Sequence, residues 1–291
     1  MKTALLKEKL KLYGIDIVPM ALRLREFSLK KAAVENKWND SIEKLKSIVP
    51  DEDIVNQEFS EKTETSVARL KRRALHWFQC SLMLKALEKS ARGKLTVVDI
   101  GDSAGTHMRY LKTLTKDKFD IDTISVNLDT RAIEKIRAAG LEAIHSRAEE
   151  LDLGEKNIDL FTSFQMVEHL HNPAIFFRRL AKKSKGNRIL VTVPYLSKSR
   201  VGLHNIRNGF LKPIRAEEEH IFELSPEDWS LLMLHSGWKP VYSEIYYQYP
   251  KRSLLKPFWK LFWQVTDYEG YWGVILEKDT KISDYYQDWE D

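Results

Sequence analysis

Leu95-Thr-Val-Val-Asp-Ile-Gly-Asp-Ser-Ala-Gly-Thr-His107 is the stretch on which the reading of this chain turns. Val97, Val98 and Ile100 form a β-branched, apolar run of the kind a buried parallel strand carries. Gly101, Ser103, Ala104 and Gly105 follow as small residues at a strand-to-helix turn, and Met108, Tyr110 and Leu111 open a helical pattern. Small residues let the backbone approach a ligand, and the helix start behind them offers free N–H groups. In doubly wound α/β folds the first such turn binds a nucleotide-like cofactor. The dinucleotide fingerprint G-x-G-x-x-G is not met. Gly101-Asp-Ser-Ala-Gly-Thr106 holds Ser103 and Thr106 at its second and third glycine positions, with Gly105 one residue early. That spacing disfavours a dehydrogenase.

The 291 residues suit one large α/β domain with an extension, or two small domains. A hydrophobic content of 43% and an aromatic content of 11% can build a substantial core, and 12 glycines and 9 prolines are too few for a disordered or fibrous chain. No apolar run reaches the length of a membrane span; Ile189 to Leu196 is about the longest and reads as a strand. The opening Met1-Lys-Thr-Ala-Leu-Leu-Lys-Glu-Lys9 meets charge too early for a secretory signal. The lone cysteine, Cys80, rules out an intramolecular disulfide and leads us to expect a cytoplasmic setting. A net charge of +5 comes from 47 basic and 42 acidic residues, well interleaved. That is a solvated surface rather than a face for DNA, and it is compatible with an anionic acceptor.

Residues 1–62 read as a helical extension and 63–291 as the main domain. One helix is expected from Ala21 to Ile48, stopping at the acidic break Pro50-Asp-Glu-Asp53. A second is expected from about Glu64 to Arg92, closed by Gly93, with Val67, Leu70, Ala74, Trp77, Phe78, Ser81 and Leu84 at helical spacing. Strands and helices then alternate, as in a parallel sheet with right-handed crossovers. Strands are expected at Leu95–Ile100, Ile121–Val126, Ala143–His145, Ile158–Ser163 and Arg188–Val193. Helices are expected from Thr106, over Arg131–Ala139 and over Pro173–Lys183. Ser225-Pro-Glu-Asp228 starts a further helix. Val241–Tyr249 and Gly273–Glu277 read as a final antiparallel pair around a helical insertion at 251–267.

From about residue 64 to 278 the chain resembles the class I S-adenosylmethionine-dependent methyltransferases, and in particular their small-molecule and sugar branch, which includes ubiquinone-pathway enzymes. Asp99-x-Gly101-x-Ser103-x-Gly105 is similar to the family's first motif. Ser163-Phe-Gln-Met-Val-Glu-His-Leu-His-Asn-Pro173 is similar to the stretch after its fourth strand. Leu190–Pro194 and Glu219–Asp228 followed by Ser236-Gly-Trp238 are similar to its later motifs. The resemblance implies a Rossmann-like, doubly wound, seven-stranded α/β sheet and S-adenosylmethionine as cofactor. It places the cofactor against Asp99, Gly101, Ser103, Gly105, Ala148, Glu149 and Gln165. Asn127 stands where the family's ribose-binding carboxylate is expected; Asp129 either shares that role or caps the next helix. Arg147 replaces the acid usually found before Ala148, and Glu149 could bond the adenine amine or lie on the surface.

Methyl transfer needs an acceptor held in line with the activated methyl and shielded from water. Ligands bind beyond the carboxyl ends of the strands, where Phe164–His171 leaves the fourth strand. His169 is therefore the candidate general base or acceptor contact, with Glu168 orienting it or a substrate hydroxyl; the alternative is that this pair only holds the loop. The long connection at 195–219 carries Lys198, Arg200, His204, Arg207, Lys212 and Arg215. It reads as an acceptor-covering segment, with His204, Arg207, Arg215 and His220 contacting a small-molecule or glycan precursor. The aromatic 251–267 insertion could touch a membrane, close a homodimer or pack on the sheet.

Three functional readings follow. The leading one is an enzyme methylating oxygen on a small molecule or a glycan or lipid-linked precursor. A second resembles the small-RNA 3′-terminal methyltransferases, with a cation at Glu168, His169 and His220 acting in 2′-O-methylation. Gln165 stands where their further glutamate would be, so no metal is expected. The third is a catalytically silent cofactor-binding or interaction protein, motivated by Ser103, Asn127 and Arg147.

Overall fold

In the computed structural model, residues 18–55, 65–88, 90, 93–209 and 213–286 are described. Val97 and Val98 point to opposite faces of the sheet and are both fully buried, so the strand carrying them lies at its centre. The strands in chain order are β1 (Gly93–Ile100), β2 (Phe119–Asn127), β3 (Glu142–His145), β4 (Leu160–Phe164), β5 (Arg188–Pro194), β6 (Arg200–Val201), β7 (Phe222–Glu223), β8 (Trp238–Tyr247) and β9 (Gly270–Lys278). Seven of them form one sheet in the order β3-β2-β1-β4-β5-β9-β8, and β6 pairs with β7 in a separate hairpin.

β1 runs parallel to β2 in register from Gly93↔Phe119 to Ile100↔Val126, while β9 enters antiparallel between β5 and β8. The reversal of strand order at β1 and β4 opens the crevice where this architecture binds ligands. β8 lies at the edge, which is where Pro240 and the register shift between Pro240 and Tyr242 are tolerated. The expected strands and the antiparallel closing pair are all present, with no end displaced by more than three residues.

The described helices are α1 (Val18–Glu35), α2 (Asn39–Ile48), α3 (Asp51–Val55), α4 (Ser66–Leu87), α5 (Thr106–Thr115), α6 (Thr130–Ala138), α7 (Pro173–Lys183), α8 (His204–Asn208), α9 (Pro226–His235) and α10 (Lys256–Thr266). On one face of the sheet, Ala32, Ile42, Leu45, Phe78 and Leu82 share a core with Val97, Leu160 and Ile275. On the other, Phe176, Phe177, Trp229 and Met233 pack on Val98, Phe161 and Val191. The N-terminal helices thus extend the main core. Among the described residues, no helix is long and apolar enough to cross a membrane.

The single helix expected over Ala21–Ile48 is two. Lys37 takes a left-handed φ of 59°, and the N–H groups of Lys37 and Trp38 bond back to Val34 and Ala33. Trp38 then enters the core beside Phe78 and Tyr246. A lysine in place of the usual glycine hid this break. The expected stop after Ile48 is present, and Pro50-Asp-Glu-Asp53 then starts α3, its carboxylates in the first turn. α4 starts at the Thr65 cap, whose hydroxyl accepts from the Ala68 N–H. It ends at Leu87, with Glu88 as its C-cap, short of the expected Arg92; Glu64, Arg92 and the 62/63 boundary lie outside the described residues, and Gly93 belongs to β1.

Candidate active site

The turn after β1 is tight because its backbone demands glycine. Gly101 has φ 94°, and a Cβ there would stand 2.6 Å from Met166 Cγ. Gly105 caps α5 at φ 72°, and a Cβ would stand 2.4 Å from Leu141 Cδ1. Between them Asp102 is buried, and its carboxylate accepts from the Ala104 N–H at 3.0 Å, the Gly105 N–H at 2.8 Å and Ser125 Oγ at 2.7 Å. Asn127 Nδ2 donates to the Asp102 carbonyl at 2.9 Å, and its Oδ1 accepts from the Asp129 N–H at 2.8 Å. The Asp129 carboxylate caps α6 and pairs with Arg131. The hydrogen bond from Arg131 holds it below the usual carboxylate range. Asn127 thus braces the turn, whereas Asp129 is committed to its helix.

Asp99 and Ser103 line a cavity of about 70 Å³ with His76, Gly101, His107 and Phe164. Asp99 Oδ1 accepts from Thr162 Oγ1 at 2.8 Å, and its Oδ2 is buried with no partner among the described residues. Burial, with the Asp102 charge added, pushes Asp99 well above the carboxylate range. A wider concavity of about 610 Å³, lined by Lys94, Lys112, Lys116 and Asp120, sits at the amino ends of β1 and β2. That is the wrong edge for a ligand of this fold.

Sequence reasoning passed over the polar groups that α4 brings to this cavity. His107 Nε2 lies 2.8 Å from Gln79 Oε1, and Gln79 Nε2 donates to Thr192 Oγ1 at 2.9 Å. His76 sits edge-on to His107 at 4.7 Å, and Arg73 donates to Tyr110 behind them. Burial lowers His107 to about 3 and His76 well below its ordinary value, so both are neutral at pH 7. Arg73, His76 and Gln79 recur every three residues along the buried side of the helix, and that stripe was the available signal.

Near the third strand, Arg147 and Glu150 are exposed, and Ala148–Glu150 form a 3-10 turn. Ala148 and Glu149 are half-buried, and the Glu149 carbonyl accepts from Arg179. Gln165 leaves β4 at a left-handed φ of 53°, and its Nε2 donates to Thr192 Oγ1 at 3.2 Å.

The second focus follows at once, in the 3-10 turn Val167–His169. Glu168 is 1% exposed, and neither carboxylate oxygen has a hydrogen-bond partner among the described residues. Burial raises it to about 7 against the opposing pull of His220. His169 Nδ1 lies 3.0 Å from the carbonyls of both Ala216 and Glu219. Burial and then the neighbouring His220 lower His169 to about 4, well under the solution value that made it attractive as a base.

His220 Nδ1 stands 3.2 Å from Glu223 Oε1 and 2.8 Å from Tyr268 Oη. Burial works against its protonated form, but the bond to Glu223 and the charges of Glu168 and Glu223 hold it above the ordinary value. Glu223 also receives Tyr268 Oη, Arg200 and, at 2.8 Å, His204 Nε2. Burial opposes its ionisation, but these bonds hold it far below the carboxylate range. The donor atoms of Glu168, His169 and His220 all lie within 4.8 Å of one another.

The 195–219 connection is latched over the exit of β4 by His169 and by the Ile221 N–H, which donates to the Glu168 carbonyl at 2.8 Å. Its cations are largely engaged. Arg207 donates to the Gly202 and Val201 carbonyls, His204 serves Glu223, and Arg215 faces outward near Glu217. Lys212 lies outside the described residues. Glu219, Glu223 and Tyr268, none of them expected as site residues, do the organising; their roles depend on contacts across up to 50 residues of chain.

In the 251–267 insertion, Trp259 and Trp263 of α10 are buried against Leu29, Val67 and Tyr249. Leu254, Leu255, Phe258, Leu261 and Val265 are exposed.

A family model described as a methyltransferase domain matches residues 4–243. Two curated relatives, from strains of Mycobacterium tuberculosis, are both named probable S-adenosylmethionine-dependent methyltransferases. Each is 26% identical over 121 residues, 40% of this chain and 41% of theirs. The match therefore spans less than half the length of those relatives. Among solved structures, a magnesium protoporphyrin IX methyltransferase from Synechocystis PCC 6803 with bound S-adenosylmethionine superposes with a TM-score of 0.51. It is 9% identical, over 80% of this chain and 94% of that one. A 1,6-didemethyltoxoflavin-N1-methyltransferase from Burkholderia thailandensis, with 1,6-didemethyltoxoflavin and S-adenosylhomocysteine bound, gives 0.50 at 15% identity, over 71% and 79%. At such identities the likeness speaks for the fold, while the family match covers most of the sequence: the chain belongs to the methyltransferase-domain family of S-adenosylmethionine-dependent enzymes.

Proposed function

We propose that this enzyme methylates an oxygen of a small molecule or of a glycan or lipid-linked precursor, held over Glu168, His169 and His220. The observation that carries this reading is a buried Glu168 carboxylate, without a hydrogen-bond partner among the described residues, beside two imidazoles and two residues from the Met166 side chain that abuts Gly101. It supports an acceptor site beside the cofactor turn, at the ligand-binding edge of the sheet.

The residues present fit the cofactor. Asp99, which lines a cavity bounded by a glycine cradle, has a buried Oδ2 without a partner among the described residues and suits a cationic ammonium group. S-adenosylmethionine brings a methyl group already activated on a sulfonium, so the chain has only to bind, orient and exclude water. Neutral His76 and His107 add no positive charge to that pocket. Glu168, raised to about 7, is better matched than His169 to accept a hydroxyl proton near neutrality. His169, latched to the Ala216 and Glu219 carbonyls, holds the covering segment and keeps Nε2 toward the acceptor.

The exposed apolar face of α10, flanked by Lys251, Arg252 and Lys256, fits peripheral contact with an anionic membrane. Buried Cys80 suits a cytoplasmic setting.

Calorimetric titration with S-adenosylhomocysteine tests the foundation: saturable binding is expected. Absence of binding at millimolar concentration would favour a catalytically silent interaction protein.

A further inference from the structure

Two imidazoles that the acceptor site does not use, His76 of α4 and His107 of α5, line the cavity beside the glycine turn. Burial keeps both neutral, so each ring has one N–H and one lone pair. Their surroundings decide which nitrogen carries which. Gln79 Nε2 donates to Thr192 Oγ1, which turns Gln79 Oε1 to His107 Nε2 at 2.8 Å. An amide oxygen only accepts, so His107 Nε2 carries the hydrogen and Nδ1 is left as an acceptor. At His76, the order is set by Arg73. Its guanidinium only donates, and Nη1 gives a hydrogen bond to Tyr110 Oη at 2.8 Å; the phenol hydrogen is left for His76 Nδ1, 3.5 Å away. His76 Nε2 therefore carries the ring hydrogen, and it has no partner among the described residues. Arg73 is held in turn, since Nε and Nη2 donate to Asp51 Oδ1 at 3.0 and 2.7 Å, and Nη2 also to the Val49 carbonyl.

The cavity thus combines acceptors at Asp99 Oδ2 and His107 Nδ1 with a donor at His76 Nε2. An acidic acceptor and an N–H left unpaired in one cavity are costly unless a ligand satisfies both. A group that carries an ammonium and a carboxylate side by side does so. We propose that His76 holds, through Nε2–H, the carboxylate of the cofactor's amino-acid end, while Asp99 and His107 take its ammonium group, with Asp51, Arg73 and Tyr110 as positioning residues that fix the His76 ring. The inference rests on S-adenosylmethionine binding at this turn.

The relay brings the N-terminal helices into the cofactor site. Asp51 belongs to α3 and Arg73 and His76 to α4, both ahead of β1, while His107 and Tyr110 follow the glycine turn on α5. Each imidazole is set by a partner from the other helix, Tyr110 of α5 for His76 and Gln79 of α4 for His107. Packing alone would not require each ring to keep one unpaired nitrogen in the cavity that Asp99 also lines.

The full chain, labelled with nitrogen-15, is titrated with S-adenosylhomocysteine and separately with its decarboxylated analogue, which keeps the ammonium group. Long-range nitrogen–proton spectra should show the hydrogen on Nε2 of both rings. The His76 Nε2 resonance should move with S-adenosylhomocysteine and stay in place with the analogue. Calorimetry should give S-adenosylhomocysteine an advantage of about tenfold or more. His76→Phe keeps a ring and loses the N–H, so it should weaken S-adenosylhomocysteine about tenfold and the analogue by less than about twofold. Tyr110→Phe and Asp51→Asn should each cut the preference about threefold and let His76 sample both tautomers, whereas a merely structural role would weaken both ligands alike. A His76 hydrogen on Nδ1, a His76 signal unmoved by S-adenosylhomocysteine, or an unchanged preference in folded His76→Phe would overturn the proposal. If the variants do not fold, the wild-type spectra and the two wild-type affinities decide. A wild type that binds neither ligand sinks the cofactor reading as well, whereas S-adenosylhomocysteine bound without a response at His76 sinks this assignment alone.

Discussion

Asp102 and Glu168 are both buried carboxylates at the carboxyl edge of the sheet, yet their surroundings are opposite. Asp102 accepts from two backbone N–H groups and a serine hydroxyl. Glu168 accepts from nothing among the described residues. The first carboxylate is consumed in shaping a turn, so its chemistry is finished when the chain folds. The second retains its full capacity for a proton, an ion or a substrate hydroxyl, and the fold bears the cost of burying it. A satisfied buried acid marks scaffold, whereas an unsatisfied one marks where a ligand belongs. Asp99 stands between them, with one oxygen on Thr162 and the other facing the cofactor cavity.

The largest expected effects separate the two regions by function. Gly101→Val places a branched side chain at a left-handed φ and against Met166, so S-adenosylhomocysteine binding should disappear from calorimetric titrations while circular dichroism stays folded. Normal affinity in this variant would remove the turn from the cofactor site. Glu168→Gln, which removes the proton acceptor at the other focus, should leave that affinity unchanged and lower turnover roughly a hundredfold. An equal loss of cofactor affinity would merge the two regions into one.

Stability gives the direct test of the two acids. In chelator-treated protein, Asp102→Ala leaves two backbone N–H groups and the Ser125 hydroxyl without their acceptor and should cost about 2–4 kcal/mol in urea unfolding. Glu168→Gln at pH 8 removes an unpaired buried charge held at a pKa of about 7. It should therefore stabilise the fold by on the order of 2 kcal/mol. Comparable losses at both positions would mean that Glu168 has a structural partner after all.

The sheet was legible in the sequence because its signals are local. β-branched runs, the Asn172-Pro173 and Ser225-Pro226 helix starts and the glycines at 101 and 105 each act within a few residues, and α7 and α9 begin where they should. The Lys37 turn was illegible because nothing in its side chain announces a left-handed backbone. At the site, Asp99, Gly101, His169 and Glu168 could be singled out from motif order. The protonation of Glu168 and His169 could not be read, because it depends on burial and on Glu219, His220 and Glu223, which arrive from about 50 to 55 residues away in the chain. The motif gave His169 an ordinary imidazole and Glu168 an ordinary carboxylate, and packing exchanged which of them titrates near neutrality.

That exchange gives the smallest predicted effect, a pair of opposed pH slopes. His107, beside the cofactor turn, is lowered by burial to about 3, so between that value and 6.5 the unfolded chain binds the proton more readily. Its contribution is complete above pH 6.5 and is lost on acidification. Glu168 is raised by burial to about 7, so between 4.5 and 7 the folded chain holds the proton; its contribution is complete below 4.5 and is lost as pH rises through 7. Relative to wild type, His107→Gln, which keeps an amide donor for Gln79, should therefore gain stability as pH falls from 6.5 to 5. Glu168→Gln should lose its advantage over the same interval. Each slope is at most about 1.4 kcal/mol per pH unit, the value for one proton, and taking differences against wild type cancels the titrations of His76, Asp99, His169 and His220 to the extent that they are not coupled to the substituted group. Urea midpoints at pH 5, 5.5, 6 and 6.5 in chelator-treated protein measure both. Parallel lines would show that the two regions do not differ in the way their buried acids and histidines require.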